Sequence, residues 1–168
     1  MTNKIIIIGD AGRGKTTLAN KMSQKLRIPH YSTDDFYWET KYTKSREREK
    51  AIEIANEYYS KDKWIIEGTT QWLVKIGLAD AELILFLHFK TIVHQWFFII
   101  KRHFTNSKEE TFKSMLILLR HVLYKRYNIG YKKGHLTHRE LLKPYSAKVV
   151  ELRSFKEINN YLSKLKIL

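Results

Sequence analysis

A run of four isoleucines, Ile5 to Ile8, opens straight into Gly9-Asp10-Ala11-Gly12-Arg13-Gly14-Lys15-Thr16, and no other stretch constrains this chain as much. Consecutive β-branched apolar residues suit a strand buried on both faces, which is how a parallel sheet covered by helices presents its strands. The residues after it fit G-x-x-x-x-G-K-[ST], the pattern of a phosphate-binding loop. Leu18 to Leu26 then run without Pro or Gly. Leu18 and Met22 share one face there, as an amphipathic helix requires. A strand, a glycine-rich loop and a helix in that order form the context in which the short pattern carries chemistry.

Each residue type in the loop has a physical reason. Backbone N–H groups turn inward on an anion and are reinforced by the positive end of the following helix. Gly9, Gly12 and Gly14 allow positive φ and close backbone approach. Lys15 is a point charge within reach of β- and γ-phosphates, and the Thr16 hydroxyl is a ligand for Mg²⁺. Residues Gly9, Asp10, Ala11, Gly12, Arg13, Gly14, Lys15, Thr16 and Thr17 are therefore expected to hold ATP, with Lys15 also catalytic.

Downstream, apolar strands alternate with helical stretches. Ile28-Pro29-His30-Tyr31-Ser32-Thr33 reads as a short extended segment, because a residue before proline avoids the helical region. It ends at Asp34-Asp35. Asp34 fits two roles: holding Mg²⁺ or orienting an acceptor hydroxyl, or capping a helix. A second helix is expected from Ser45 through Ser60. Trp64-Ile65-Ile66-Glu67-Gly68 is a buried strand closed by an acid. Glu67 is costly there without a partner; it fits either a metal held through water or a turn with the carboxylate in solvent. Thr69-Thr70-Gln71-Trp72 supplies groups that suit an acceptor. Glu82 to Phe89 is a fourth strand, and its His88 reads either as a packed, hydrogen-bonded side chain or as a functional one. Helices are expected over 91–104, 108–126 and 136–145, the second behind the capping box Ser107-Lys108-Glu109-Glu110. Lys148 to Leu152 reads as a fifth strand, and Ser154-Phe155-Lys156-Glu157 as a capping box opening a terminal helix. This alternation predicts an α/β fold with a parallel sheet covered on both faces.

Composition narrows the class. The chain of 168 residues has no cysteine, which excludes disulfides and thiolate chemistry and suits a reducing compartment. A single domain is expected. Because Met1 leads directly into the first strand, no signal peptide is expected. No apolar run is long enough to span a bilayer, so a cytoplasmic protein without a membrane partner is expected. The net charge is +14 and unevenly spread. Between Lys90 and Lys148 there are 13 Lys/Arg against three Glu, together with five of the seven histidines. Phosphates of two nucleotides, a nucleic acid backbone or an anionic surface would each suit such a segment.

The succession of G-x-x-G-x-G-K-T, Ile28-Pro29 with Asp34 and Trp38 behind it, Trp64-Ile65-Ile66-Glu67-Gly68, and a strand ending Phe-Leu-His-Phe resembles the adenylate-kinase-like P-loop proteins. Within them it looks like the branch labelled DNA topology modulation protein, or FlaR-related, and the closing Val-Val-Glu-Leu-Arg153-Ser154 fits that branch too. The resemblance implies a three-layer α/β/α fold, a five-stranded parallel sheet ordered 2-3-1-4-5, and a basic helical lid over residues 101–145. It implies that Asp34 and Glu67 are the acids after the second and third strands, both near Mg²⁺. Lys101 and Arg102 would begin the lid, and Arg153 and Ser154 would lie near adenine. The chain departs from the pattern at Arg13, where the branch carries Ser, at His88, where it often carries an acid, and at 69–72, which lacks the usual Arg.

These readings converge on an ATP- and Mg²⁺-dependent phosphotransferase with a small acceptor, a nucleoside monophosphate among the candidates. Lys15, Asp34 and Arg102 are its expected catalytic residues, with Lys101, Arg120 or Arg126 as substitutes for Arg102. Thr16, Glu67 and Asp34 are its expected metal-holding residues. A nucleotide-regulated nucleic-acid-binding protein is the alternative, supported by Tyr124, Tyr127 and Tyr131 among the basic residues; a simple NTPase switch is the third reading. Either a monomer or a homodimer fits.

Overall fold

The isoleucine run becomes the centre of the sheet. The computed structural model describes residues 2–40, 43–89, 92–105, 112–126 and 137–165. In chain order, β1 (Lys4–Gly9), α1 (Lys15–Leu26), β2 (His30–Ser32) and α2 (Thr33–Tyr37) come first. A small hairpin, β3 (Trp38–Thr40) and β4 (Lys44–Ser45), leads to α3 (Arg48–Tyr59), β5 (Trp64–Gly68) and α4 (Gln71–Gly77). Then come β6 (Leu83–Leu87), α5 (Ile92–Thr105), α6 (Phe112–Arg126), α7 (His138–Leu142), a 3₁₀ segment (Lys143–Lys148), β7 (Val149–Leu152) and α8 (Phe155–Lys164).

Strand β1 pairs in parallel with β5 on one side and β6 on the other; β2 lies outside β5, and β7 outside β6. Counting only the strands of this sheet, the order is 2-3-1-4-5, as expected. Alternation in a pleated strand sends the isoleucines to opposite faces. Ile6 and Ile8 join Ile66, Ile84, Ala51, Ala55 and Leu73 on one side; Ile5 and Ile7 join Leu85, Leu87, Leu18, Met22, Ile158 and Leu162 on the other. All four isoleucines are fully buried, each contributing roughly 1.5–3 kcal/mol of transfer free energy. Their central position fixes where β1 ends, and so where the glycine-rich loop begins.

Several sequence expectations shift. The second helix begins at Arg48, not Ser45, because Lys44–Ser45 pairs with Trp38–Thr40 and the Arg46 guanidinium donates to the carbonyls of Asp35, Phe36 and Trp38. Gln71–Gly77 is a helix that the sequence reading did not assign, and it begins within the stretch expected to supply acceptor contacts. The stretch 136–145 divides into α7 and the 3₁₀ segment, where Tyr145 leaves helical geometry. Helix α7 is opened by a capping box, Thr137 with Glu140. The Ser107 capping box, the start of the helix expected from Lys108, and Tyr127 and Tyr131 lie outside the described residues. At the terminal helix Ser154 caps the Glu157 N–H, while the Glu157 carboxylate accepts from Arg153 N, one residue before the usual partner.

Candidate active site

The loop from Gly9 to Gly14 lies at the C-terminal end of β1, flanked by the ends of β5 and β6, the position where open α/β sheets bind ligands. A Cβ on Gly9 would stand 2.4 Å from the Leu87 carbonyl oxygen, so only glycine lets the loop leave the sheet here. Gly12 and Gly14 have φ of 75° and 77°, in the left-handed region. Gly14 caps α1 without a side chain, and no acid occupies the first turn. The first N–H groups of α1 therefore face the loop with the positive end of the helix behind them. Lys15 is 8% exposed and curls over the loop, its Nζ donating to the Asp10 carbonyl at 3.1 Å.

The acid expected at the end of β5 meets the loop directly. Glu67 is 4% exposed, which rules out the solvent turn. Its Oε1 accepts from Thr16 Oγ1 at 2.8 Å and from Ser32 Oγ at 3.1 Å. Ser32 also caps α2 by accepting from Asp34 N at 3.3 Å. Asp34 is thus not the cap; it sits half-buried in the first turn of α2, joined to Glu67 through Ser32. Asp35 is exposed. Gly68 lets β5 pass against α2, since a Cβ there would lie 1.9 Å from Thr33 Oγ1. Thr69 Oγ1 donates to the Gly9 carbonyl at 3.2 Å. Beyond Asp34, Tyr37 packs on Trp38 and Trp72, and the Arg48 guanidinium lies over the Trp72 ring.

Arg13 occupies a loop position but turns away from solvent. It is 4% exposed, donates to the Phe89 carbonyl at 3.2 Å, and pairs with Asp10 at 3.3 Å. The other Asp10 oxygen faces His138 Nδ1 at 3.6 Å. His138 opens α7, so the segment returning from the basic region meets the loop. Sequence reasoning missed this residue; the Thr137-x-x-Glu140 capping signature locates the helix start but not its contact with Asp10.

His88 proves a packed, hydrogen-bonded side chain. It stacks on Phe86, meets Arg139 Nη2 at 3.2 Å, and has its pKa lowered by burial first, then by Arg13 and Arg139, with Glu151 opposing. Glu151 also accepts from Arg153 at 2.9 Å. Burial works to raise the Glu151 pKa, yet the Arg153 hydrogen bond and the charges of Arg139 and Arg153 outweigh it and leave it lowered. Arg153 is exposed at the end of β7, while Phe155, two residues on, lies 3.1 Å from where a Gly14 Cβ would stand. Lys101 and Arg120 are exposed, the latter over the Tyr124 ring. Arg102 lies in α5 and Arg126 ends α6, and their side chains lie outside the described residues. The structure thus joins Thr16 to Glu67 beside Lys15, and links Glu67 through Ser32 to the backbone N–H of Asp34.

A five-stranded parallel α/β sheet with this loop at the end of its central strand defines a P-loop kinase-like fold. Solved structures agree. Shikimate kinase from Aquifex aeolicus superposes with a TM-score of 0.58 at 16% identity, covering 95% of this chain and 92% of that one. Shikimate kinase from Acinetobacter baumannii in complex with shikimate gives 0.56 at 14% identity, covering 98% and 90%. The enzyme from Bacteroides thetaiotaomicron gives 0.53 at 16% identity, covering 98% and 96%. At these identities the likeness is one of fold. A stretch of 71 residues is 38% identical to the uncharacterized protein YqaC of Bacillus subtilis (strain 168), spanning 40% of this chain and 39% of that protein. No family model matches the chain.

Proposed function

We propose that this chain is a P-loop phosphotransferase that moves the γ-phosphoryl group of ATP to a small acceptor carrying a hydroxyl or phosphate. The observation that carries the reading is the Thr16–Glu67 hydrogen bond at 2.8 Å beside Lys15, which joins the loop hydroxyl to a buried acid. Phosphoryl transfer asks a protein for positioning and charge neutralisation. The loop N–H groups and Lys15 hold the β- and γ-phosphates. A hydroxyl and carboxylates suit a hard divalent cation, so Thr16 would hold Mg²⁺, with Glu67 and Asp34 on its waters. Bound there, the ion would offset charge building up on the phosphate oxygens.

Asp34, in the first turn of α2, would orient or deprotonate the incoming hydroxyl. The wall of Tyr37, Trp38, Trp72 and Arg48 supplies aromatic faces and one cation, which suits a planar acceptor with an anionic group, a nucleoside monophosphate among them. Arg102, or Lys101, Arg120 or Arg126 in its place, would close over the transferring group from the lid of residues 101–145. An arginine in that role contributes a rate factor on the order of 10³–10⁵, so Arg102→Ala is expected to depress kcat far more than ATP affinity. Arg153 and Ser154 would border adenine. The resemblance to the topology-modulation branch belongs to this reading, as does a cytoplasmic setting.

The test is ADP release from Mg²⁺-ATP across nucleoside monophosphates, nucleosides and small hydroxylated metabolites, shikimate included, with Lys15→Ala as control. An acceptor that raises turnover well above background, and fails to with Lys15→Ala, establishes the kinase and names its substrate. ATP binding without stimulated turnover would refute it in favour of a nucleotide-regulated nucleic-acid binder or a switch.

A further inference from the structure

The Ser32 hydroxyl lies between the buried acid of β5 and the helix that carries Asp34. Parallel pairing sets Ile7, Glu67 and Ser32 level with one another across β1, β5 and β2. Residues level on neighbouring parallel strands point to the same face of the sheet. Ile7 packs in the cluster of Leu18 and Met22, so this is the face that α1 covers. Thr16 lies in the first turn of α1. The register therefore explains why one oxygen of Glu67, Oε1, accepts from Thr16 Oγ1 at 2.8 Å and from Ser32 Oγ at 3.1 Å.

A serine hydroxyl has one proton and two lone pairs. The Asp34 N–H meets a lone pair of Ser32 Oγ at 3.3 Å, while the proton goes to Glu67, so the two bonds do not compete. Glu67 is 4% exposed, and a carboxylate so buried is costly unless hydrogen bonds hold it. Its two donors differ in their other commitments. Thr16 is shared with the cation in the phosphotransferase reading, whereas Ser32 is held by the protein alone, through the pairing of β2 and the cap of α2. We propose that Ser32 is a positioning residue. Its hydroxyl fixes the Glu67 carboxylate toward the waters of the divalent cation and, as the cap of α2, sets the place of Asp34. One side chain then ties the acid that serves the metal to the helix that carries the acid proposed to meet the acceptor. The inference rests on the phosphotransferase reading. Partners that orient the groups around a metal cost about 10–100-fold in metal affinity when they are removed.

The test is a Mg²⁺ titration of the full chain at fixed ADP, read by thermal melts, with ADP in EDTA as the metal-free reference. Wild type, Ser32→Ala and Ser32→Thr are compared. Ser32→Ala should keep the rise in Tm that ADP gives in EDTA and need about 10–100-fold more Mg²⁺ for half of the further rise. Ser32→Thr keeps the hydroxyl on a residue type that suits a strand, and should respond to Mg²⁺ as wild type does. A lost cap alone would lower every melt of Ser32→Ala together and leave its Mg²⁺ response unchanged, which would overturn the role of Ser32 and spare the phosphotransferase reading. Equal impairment of Ser32→Thr and Ser32→Ala would assign the loss to packing and overturn it too. A wild type that gains nothing from ADP, or nothing further from Mg²⁺, would overturn both the inference and the reading beneath it.

Discussion

Glu67→Gln separates the charge of the buried acid from its shape. In the native chain one carboxylate oxygen accepts from Thr16 at 2.8 Å and Ser32 at 3.1 Å, in a residue only 4% exposed. A glutamine carbonyl can accept both bonds. A hydrogen bond to a charged group contributes about 1.5–3 kcal/mol and a neutral one about 0.5–1.5 kcal/mol. The pair therefore weakens by about 2–3 kcal/mol in total. Against this, a buried carboxylate carries a desolvation cost of several kcal/mol that the amide lacks. The two effects nearly cancel, and the stability of the free protein should move by less than about 2 kcal/mol. What would change is the hold on the Mg²⁺ proposed for this site. A ligand at one hundred times its Kd stabilises by about 2.7 kcal/mol, which for a chain of this size is roughly 5–11 °C in Tm.

Thermal melts with ADP in EDTA and with ADP in Mg²⁺ read the two contributions apart. Wild type should rise with ADP alone and rise again with Mg²⁺. Glu67→Gln should keep the first rise and lose the second; Lys15→Ala should lose both. A Glu67→Gln protein that keeps the full Mg²⁺ increment would refute the placement of Glu67 beside the cation.

Three further outcomes follow from the packing and the titrating groups. Tyr59 is 3% exposed, and its hydroxyl has no hydrogen-bond partner among the described residues, so Tyr59→Phe should raise the urea unfolding free energy by about 1 kcal/mol; a loss of stability would mean the hydroxyl is satisfied. Gly68→Ala should lower it by about 1–3 kcal/mol, because the new Cβ would stand 1.9 Å from Thr33 Oγ1 in a fully buried residue; an unchanged urea midpoint would show that β5 and α2 can part. His30 and His88 both have pKa values below their ordinary 6.5, in each case through burial first. The unfolded chain then takes up protons before the folded one on acidification. Stability should fall as pH drops below about 6.5, and the double variant His30→Gln/His88→Gln should flatten Tm against pH over that range.

The parts of the fold legible in the sequence are those where one local pattern decides the structure. Ile5–Ile8 and Trp64–Gly68 read as strands from their short, β-branched and apolar runs, and the glycines of the loop fix its backbone. The parts that were not legible depend on contacts between distant residues. Ser45 looks like the start of a helix until Arg46 is seen to hold three carbonyls of the preceding segment, which pins a hairpin in place and delays α3 to Arg48. Helix α4 has seven residues, too few for a period to show. Asp34 reads as a cap by residue type, yet Ser32 takes that place because β2 delivers its hydroxyl to both Glu67 and the Asp34 N–H.

Arg13 illustrates why the site itself was only half legible. A cation inside a phosphate-binding loop looks, in sequence, like an extra phosphate contact. In the fold its guanidinium is 4% exposed and its charge is met by Asp10, with the Phe89 carbonyl as a second acceptor. The Asp10 carboxylate in turn faces His138 at the root of α7. Arg13 therefore ties the loop to the end of β6, and Asp10 ties it to the chain returning from the basic helices, which leaves Lys15 and the N-terminal end of α1 for the proposed phosphate contact. Two residues of the loop pattern that the motif leaves unspecified thus set its attachment to the rest of the molecule. Their roles follow from burial and pairing, which residue type alone does not encode.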